Sequence, residues 1–577
     1  MEDLLLTDVL TCKFGQALKA AFPSLEASEL SIELTPATAE KFGHYQVNSA
    51  MRLSRSLKQP PRKIAEAIVQ HLDKEHLLQV EIAGPGFINI TFESEFLASL
   101  LQKVLLDPFL GVSRPKKIER IVVEFSAPNI AKEMHVGHLR STIIGESIAR
   151  LFEFLGYDVL RLNHIGDWGT AFGMLIAYME EETPEVLLGN LKTDLSHLMH
   201  WYRESKKRFD ASEEFKTRAR LKVVALQGGD AQAKKAWEII CDISRKAFQE
   251  IYDLLEVTLI ERGESFYNPE LPKIVNDLEK RGIAQISQGA TCIFIEGFDL
   301  PLMIQKTDGG YTYDTTDLAA MKQRVEVEKA DRIIVVTDSG QSLHFKLIYE
   351  ASIKAGYLDP KKVRFDHVPF GVVLGLDGKK FRTRSGETEK LIDLLQAAIV
   401  KAKEILKQRE HDLTDEEVEA LSPILGIDAV KYADLASNRI SDYVFSYDRM
   451  LRFEGNTAAF ILYSFVRVNG IKRKAKDNNI EKLKKEAKIT LKHSSEITLA
   501  LHLLRFGETL QTFSEELTPH TLTEYLYLLA QKFNAFFRDC QVVGSEDEAS
   551  RLLICEIVSK TLEKGLHILG LRTVDKM

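Results

Sequence analysis

Residues 119–177 alternate between strand and helix patterns, and this alternation constrains the fold more than any other feature of the chain. The apolar run Ile121–Val123 indicates a strand, and apolar residues then recur at helical spacing from Leu139 to Leu155. A second strand pattern covers residues 158–165, and a second helix pattern follows Gly169. Two strands joined through a helix form a parallel pair, so this segment predicts the opening of a doubly wound parallel sheet.

The rest of the chain predicts further domains, since 577 residues exceed what one hydrophobic core supports. Strand patterns return at 291–295, 332–337 and 367–374, with a helix predicted over 344–355. We therefore expect a multidomain α/β protein. Its predicted parts are an α+β domain over 1–110, a Rossmann-like domain over 118–390 with a charged helical insertion at about 184–265, and an all-helical domain over 391–577.

Composition narrows the class of protein. No apolar run is long enough to span a bilayer, and the acidic start of the chain is unlike a signal peptide. Five cysteines form no CxxC pair, which argues against a cysteine zinc site and a disulfide framework. We expect a cytoplasmic protein with no membrane partner. The net charge is −8, so contact with nucleic acid requires a local basic patch.

Two histidines stand where the first strand gives way to the helix. His135, Gly137 and His138 fall at the predicted helix start, where unpaired backbone N–H groups and the helix dipole favour an anion. Gly137 removes a side chain, so a ligand could approach the backbone closely. The cluster suits the base and phosphates of a nucleotide, although two solvent-facing histidines at a helix start would give the same pattern.

A glycine-bounded basic loop over 375–386 follows a predicted strand and precedes a helix. Its Lys379, Lys380 and Arg384 could neutralise a triphosphate as pyrophosphate departs. In isolation such a loop is usually an ordinary basic surface. Because ligands bind at strand ends of parallel sheets, its pairing with the histidine cluster favours a phosphate site.

Two more polar segments follow predicted strands. Tyr313 and Asp317 share one face if the chain turns helical after Tyr313, and a carboxylate there could hold a cation. Asp314, Thr315 and Thr316 are good capping types, so a helix cap is an alternative that can hold as well. Gln341 could meet a polar substrate or simply line a loop.

Together these segments resemble arginyl-tRNA synthetase, of the class I aminoacyl-tRNA synthetase family. His135-Val-Gly-His138 resembles the HIGH signature, and three more segments narrow the resemblance: 126–132, 305–319 and the basic loop. Residues 43–48 resemble that family's appended RNA-binding domain, and residues 455–463 resemble the start of its helical anticodon-binding domain. The second signature is usually KMSKS; the loop here reads Lys380-Phe-Arg-Thr-Arg-Ser385, so Arg384 or the pair Lys379 and Lys380 would replace its second lysine.

The resemblance implies an arginine–tRNA ligase that uses ATP with Mg²⁺, L-arginine and the cognate tRNA, without a tightly bound cofactor and as a monomer. The implied catalytic residues are His135, His138, Lys380 and Arg384. The implied ATP contacts are Ser126, Pro128, Asn129, Lys132, His135, Gly137, His138, Lys379 and Lys380. The implied arginine contacts are Glu124, Asn129, Tyr313, Asp317 and Gln341.

Residues 467–492 carry ten Lys/Arg against three Asp/Glu in an acidic protein. A solvated helix face usually explains such a run. Beside a segment that resembles an anticodon reader, phosphate contact is the better interpretation, and its predicted tRNA contacts are Arg467, Lys472, Arg473 and Lys474.

Two other functions fit part of the pattern. A small-molecule adenylyltransferase could use the same histidine cradle, but it would not need the helical C-terminal half. A non-catalytic RNA-binding descendant of a synthetase would be favoured by loss of the histidines or of Asp317, and all three are present.

Overall fold

The computed structural model describes residues 5–381, 389–409, 413–475 and 479–577. The chain divides into two compact units. Residues 1–114, 452–567 and 572–577 form the first unit, and residues 115–451 and 568–571 form the second. Across the described ranges, no helix is both long and apolar enough to cross a membrane.

The first unit begins with an antiparallel sheet flanked by helices. Its strands are β1 (Leu34–Pro36), β2 (Tyr45–Val47), β3 (Leu77–Ala83) and β4 (Phe87–Phe92), in the order β1-β2-β4-β3. Its helices are α1 (Leu6–Ala21), α2 (Ser49–Leu57), α3 (Pro61–Gln70) and α4 (Ser94–Leu106). Strands β3 and β4 form a hairpin around the turn at 84–86, where glycine suits the turn, and α3 begins at Pro61, since proline suits a first helical turn.

The second unit contains ten strands and thirteen helices among its described residues. The strands are β5 (Arg120–Glu124), β6 (Asp158–Asn163), β7 (Ile260–Glu261), β8 (Ala284–Ser287), β9 (Ala290–Ile293), β10 (Leu302–Gln305), β11 (Arg332–Asp338), β12 (Arg364–Phe370), β13 (Val373–Leu374) and β14 (Tyr443–Val444). The helices are α5 (Val136–Leu155), α6 (Thr170–Glu182), α7 (Pro184–Leu187), α8 (Leu195–Ala211), α9 (Glu213–Gln227), α10 (Ala231–Leu255), α11 (Glu264–Tyr267), α12 (Leu271–Lys280), α13 (Tyr313–Glu326), α14 (Ser342–Lys354), α15 (Leu391–Gln408), α16 (Asp415–Leu435) and α17 (Tyr447–Met450).

Five of these strands form the predicted parallel sheet, in the order β12-β11-β5-β6-β7. Every neighbouring pair is parallel, with Glu124 opposite Val335 on one side and Leu162 on the other. The central strand β5 is an apolar run buried on both faces, as expected when helices cover both sides of a sheet. The carboxyl ends of β5, β6 and β11 meet at one edge, where ligands bind in such folds.

Three features differ from the sequence expectations. The strand predicted at 291–295 lies in a separate antiparallel sheet, β10-β9-β8, because a tight turn at Gln288-Gly289 folds β9 back on β8. The helical stretch 184–265 also supplies β7, an edge strand of the parallel sheet. The sequence pattern placed helices α15 and α16 in the helical C-terminal domain, but they belong to the second unit. The buried Arg140 of α5 donates from Nε to Asp434 of α16 at 3.2 Å, which links these two helices.

The first unit is completed by six C-terminal helices: α18 (Ala458–Lys474), α19 (Ile480–Glu486), α20 (Ser494–Leu504), α21 (Phe506–Glu516), α22 (Pro519–Asp539) and α23 (Glu548–Ile568). They join its N-terminal part through a buried polar contact, in which the Tyr45 hydroxyl donates to Glu508 at 2.7 Å. Arg505 donates to the same hydroxyl at 3.2 Å. The predicted helical character of this region is confirmed.

Candidate active site

The two signature histidines cap the start of α5 and hold each other in fixed orientations. The backbone N–H of His135 donates to Nδ1 of His138 at 3.0 Å, and the N–H of Gly137 donates to Nδ1 of His135 at 3.0 Å. Because each Nδ1 accepts, each neutral ring carries its hydrogen on Nε2. The pair therefore offers two Nε2–H donors.

Both rings are neutral at physiological pH. Burial lowers the pKa of His138 to about 3, with smaller contributions from His135 and Lys132. Burial also lowers the pKa of His135, and the nearby charges of Lys380 and Lys132 add to that effect. The site accordingly presents neutral donors backed by lysine cations, an arrangement suited to an anionic ligand.

Gly137 has a structural reason within the pair itself. A Cβ at Gly137 would lie 2.9 Å from Cε1 of His135, closer than real side chains approach. The glycine thus lets the His135 ring fold back over the helix start and accept the bond from the N–H of Gly137.

The basic loop begins beside the histidines. Lys380 follows a tight turn, in which the N–H of Gly375 donates to the carbonyl of Lys379 at 2.8 Å. Its charge contributes to the lowered pKa of His135, so the structure brings Lys380 and the histidine pair together. Lys379 is exposed, and Arg384 lies outside the described residues.

The loop between β5 and α5 carries the other predicted ATP contacts. Asn129 and Lys132 are exposed, whereas Ser126 and Pro128 are buried. Asn129 packs against Gly166 at the end of β6, where a Cβ would lie 2.1 Å from the Asn129 Oδ1. The structure therefore leaves Asn129 and Lys132 accessible and turns the Ser126 hydroxyl inward.

An acidic pair on α13 faces a histidine of α14. His344 Nε2 lies 2.6 Å from Asp317 Oδ2, and His344 Nδ1 lies 3.3 Å from Asp314 Oδ1. Burial would lower the pKa of His344, but its hydrogen bonds to Asp314 and Asp317 outweigh burial and raise that pKa to about 9. A protonated imidazole therefore sits between two carboxylates.

The cap of α13 is built by other residues than the carboxylates. Thr312 and Thr315 form a capping box, and Asp317 lies one turn after Tyr313 on the helix. The helix cap therefore does not use Asp317, whose carboxylate pairs with His344 instead. Tyr313 is 65% exposed, and Gln341 ends a short 3₁₀ turn after β11 with its side chain also exposed.

Three further residues shape this acidic region, and the sequence analysis did not single them out. Besides His344, Glu264 lies close enough to Asp317 to feel its charge: burial, followed by Asp317 and Asp167, raises the pKa of Glu264 to about 8. Arg324 pairs with Glu124, and both side chains are buried. Arg324 thus balances the charge of Glu124 inside the protein. The charges of Glu264 and Asp317, in contrast, repel each other.

Some of the basic side chains of α18 bind other side chains of the protein. Lys472 Nζ lies 2.5 Å from Glu556 Oε2, and Arg467 donates to Asn534 Oδ1 at 2.9 Å while its guanidinium stacks over Tyr463. Arg473 and Lys474 are exposed at the end of the helix. The structure therefore leaves two of the four predicted tRNA contacts on the surface.

Family comparisons cover nearly the whole chain. A family model described as "tRNA synthetases class I (R), catalytic domain" matches residues 100–447. "Arginyl tRNA synthetase N terminal domain" matches residues 8–92, and "DALR anticodon binding domain" matches residues 461–577.

Individual relatives agree. The "Arginine--tRNA ligase" of Protochlamydia amoebophila is 59% identical and covers 99% of this chain and 100% of its own. The cytoplasmic "Arginine--tRNA ligase" of Homo sapiens is 49% identical over 98% of this chain and 87% of its own. The solved structure of Plasmodium falciparum arginyl-tRNA synthetase superposes with a TM-score of 0.88 at 34% identity, covering 99% of both chains.

Proposed function

Because this chain belongs to the arginine–tRNA ligase family of class I synthetases, we propose a division of labour among its residues for the joining of arginine to tRNA. The reaction consumes ATP: the arginine carboxylate attacks the α-phosphorus and expels pyrophosphate, which leaves arginyl-adenylate. The terminal adenosine hydroxyl of the tRNA then attacks the arginyl carbonyl carbon and releases AMP. Such chemistry needs positioning and charge stabilisation more than an acid–base pair.

The observation that carries the ATP assignment is the pair of neutral Nε2–H donors at the start of α5. We assign His135 and His138 to the phosphates or ribose of ATP, where each Nε2–H can donate a hydrogen bond to an oxygen. Lys132, Lys379, Lys380 and Arg384 would neutralise the charge that grows on the departing pyrophosphate. We assign the exposed Asn129 to the same nucleotide site.

Magnesium would accompany the nucleotide. Within the described ranges, no three His, Cys, Asp or Glu side chains are arranged to hold a metal ion. Mg²⁺ usually keeps several waters and binds through one or two carboxylates and substrate phosphates, so it would enter the site with the phosphates of ATP.

The arginine pocket is assigned to the acids around His344. The charge of Asp317 contributes to the raised pKa of Glu264. We propose that the two carboxylates flank one guanidinium, whose planar fork pairs with carboxylates. A bound guanidinium would replace His344 as the cation beside Asp317. Tyr313 would border the guanidinium, and Asn129 and Gln341 would meet the amino and carboxylate end. Glu124 is buried in an ion pair with Arg324, so its predicted contact with arginine would require that pair to open.

This pocket explains selection of arginine over lysine. Arginine offers five donors in one plane, whereas lysine is a compact point charge. Carboxylate oxygens placed around a plane would be left without partners if an ammonium entered, and sites built on hydrogen-bond pairing discriminate by roughly 10⁴ or more.

We assign tRNA binding to the first unit, with the exposed Arg473 and Lys474 on phosphates and the domain around Gly43–Asn48 as a second RNA contact.

We also propose that the protein acts as a cytoplasmic monomer. Sedimentation of the protein with and without tRNA checks the monomer, and a dimer in the absence of tRNA would contradict it.

A charging assay tests the assignment of substrate. Purified protein, ATP, Mg²⁺ and total tRNA should give arginyl-tRNA, and lysine at the same concentration should give roughly 10⁴-fold less product. Comparable charging of lysine would contradict the pocket drawn here.

A further inference from the structure

The loop that links β5 to the histidine helix has an unfavourable backbone. Ser126, Ala127 and Ala131 have φ values of 74°, 48° and 60°, in the left-handed region that side chains disfavour. The N–H of Ala127 donates to the carbonyl of Phe125 at 3.1 Å, so Ser126 is the centre of the rare, strained form of the γ-turn. This conformation requires support from its surroundings.

A ring of buried hydrogen bonds closes around the strained pair. The N–H of Ala127 donates to Asn163 Oδ1 at 3.0 Å, and the Asn163 amide donates to the hydroxyl of Tyr252 at 3.0 Å. That hydroxyl lies 2.8 Å from Ser126 Oγ. Because the Tyr252 oxygen accepts from Asn163, its own hydrogen is available for Ser126.

The ring is connected to the histidine helix. Thr142 Oγ1 lies 3.0 Å from Ser126 Oγ and 2.6 Å from the carbonyl oxygen of His138. Burial raises the pKa of Tyr252 to about 12, so the phenol keeps its hydrogen at neutral pH. A chain of contacts thus runs from α10 through the strained turn to the first turn of α5.

Helix α10 holds the loop at a second point. The N–H of Ala131, the third left-handed residue, donates to Ser244 Oγ at 3.0 Å. Ser244 and Tyr252 lie two turns apart on α10, within the stretch predicted as an insertion. The loop is therefore fastened to this one helix at two points.

We propose that Tyr252 is a positioning residue for adenylate formation, which acts by holding the Ser126–Ala127 turn so that Asn129, Lys132 and the histidine pair face ATP together. The proposal rests on the proposed ATP site. It assigns the helix α10 a function in catalysis, exerted without contact to either substrate.

The test is Tyr252→Phe, measured by arginine-dependent ATP–pyrophosphate exchange with tRNA present and expressed per titrated active site. We expect kcat to fall at least about tenfold, because small misplacements of reacting groups are costly in rate, while both KM values stay within about threefold. The matched control is Tyr357→Phe, which removes a partly buried hydroxyl that donates to Asp277 at 3.3 Å elsewhere in the same unit. Its kcat should stay within about twofold of wild type.

Two double variants show how the hydroxyl works. Ser126→Ala combined with Tyr252→Phe should be within about twofold of the slower single variant, since both changes break one chain of contacts. Ala127→Gly combined with Tyr252→Phe should have a kcat at least about threefold higher than Tyr252→Phe alone, since glycine adopts positive φ without penalty. If the losses of Ser126→Ala and Tyr252→Phe multiply, or if Ala127→Gly does not raise the kcat of Tyr252→Phe, positioning through this turn is overturned.

Two outcomes would overturn the proposal outright: a per-site kcat within about twofold of wild type for Tyr252→Phe, or an equal loss in Tyr357→Phe. If Tyr252→Phe fails to fold, Ser244→Ala replaces it, with at least a threefold loss expected and an unchanged rate counting against the proposal. A parallel His138→Ala separates the two levels. Wild-type exchange in that variant would refute the ATP site itself, whereas slowed exchange there beside a normal Tyr252→Phe would refute only the positioning proposal.

Discussion

His344 Nε2 lies 2.6 Å from a carboxylate oxygen of Asp317. The carboxylate that we assign to the substrate guanidinium is therefore already paired with a cationic side chain of the protein. The imidazole stays protonated there because Asp314 and Asp317 together outweigh its burial. Arginine binding then becomes an exchange of one cation for another, with consequences for mutation and for pH.

The first prediction concerns Asp317. Asp317→Asn keeps the shape of the side chain and removes its charge, so kcat/KM for arginine should fall at least about a hundredfold, or about 2.7 kcal/mol. The KM for ATP should stay within a few-fold. Asp314→Asn is the matched control: it also removes a partner of His344, but it should cost less than about tenfold. Steady-state kinetics in which ATP binding collapses and arginine binding survives would place Asp317 in the nucleotide site.

The second prediction concerns pH. Glu264, with a pKa of about 8, is mostly protonated at neutral pH, and a guanidinium favours its ionised form. His344 has a pKa of about 9 because of its contacts with Asp314 and Asp317. When the guanidinium takes its position beside Asp317, that pKa falls and the imidazole releases its proton. Each effect releases a proton, and each release corresponds to roughly tenfold in affinity between pH 6.5 and 8, so the Kd for arginine should fall at least about tenfold over that range.

Calorimetry of arginine binding to the tRNA complex, repeated in buffers of different ionisation enthalpy, measures the proton release directly. Glu264→Gln should reduce the number of protons released. Proton uptake on binding would contradict the assignment of both groups.

The third prediction concerns His138. His138→Ala should slow adenylate formation at least about tenfold, because the variant lacks a donor to the nucleotide. Binding of tRNA should be unchanged. His197→Ala, which removes an exposed histidine paired with Asp194, serves as the control and should keep the wild-type rate. Exchange at that rate in His138→Ala would remove the residue from the site.

The fourth prediction concerns the exposed end of α18. Replacing Arg473 and Lys474 by alanine should weaken tRNA binding, and the log–log salt slope should fall by roughly 0.7 to 0.9 for each phosphate that the variant no longer neutralises. Lys472→Gln should instead lower stability and leave the slope unchanged, because Lys472 is paired with Glu556. A salt series of filter-binding titrations decides between them, and equal slopes in all variants would show that this surface is only solvated.

The sequence predicted what local patterns encode. The apolar run of β5, the spacing of His135 and His138 and the helical period of α5 are each contained in a short segment, so the parallel sheet and its histidine cradle could be foreseen. Glu264 and His344 could not, because they reach Asp317 from separate segments that only the folded chain brings together. The pairing of Glu124 with Arg324 was hidden for the same reason. A charged residue in the sequence does not reveal which distant charge will neutralise it.

Pyrophosphate exchange, measured with each of the twenty amino acids with and without tRNA, tests most directly whether this site activates arginine. We expect exchange with arginine alone, and the resemblance to arginyl-tRNA synthetase implies that this exchange requires tRNA. Robust exchange without tRNA would contradict that dependence and favour a small-molecule adenylyltransferase. Exchange driven by another amino acid, or none with arginine when tRNA is present, would contradict the central claim that this site activates arginine.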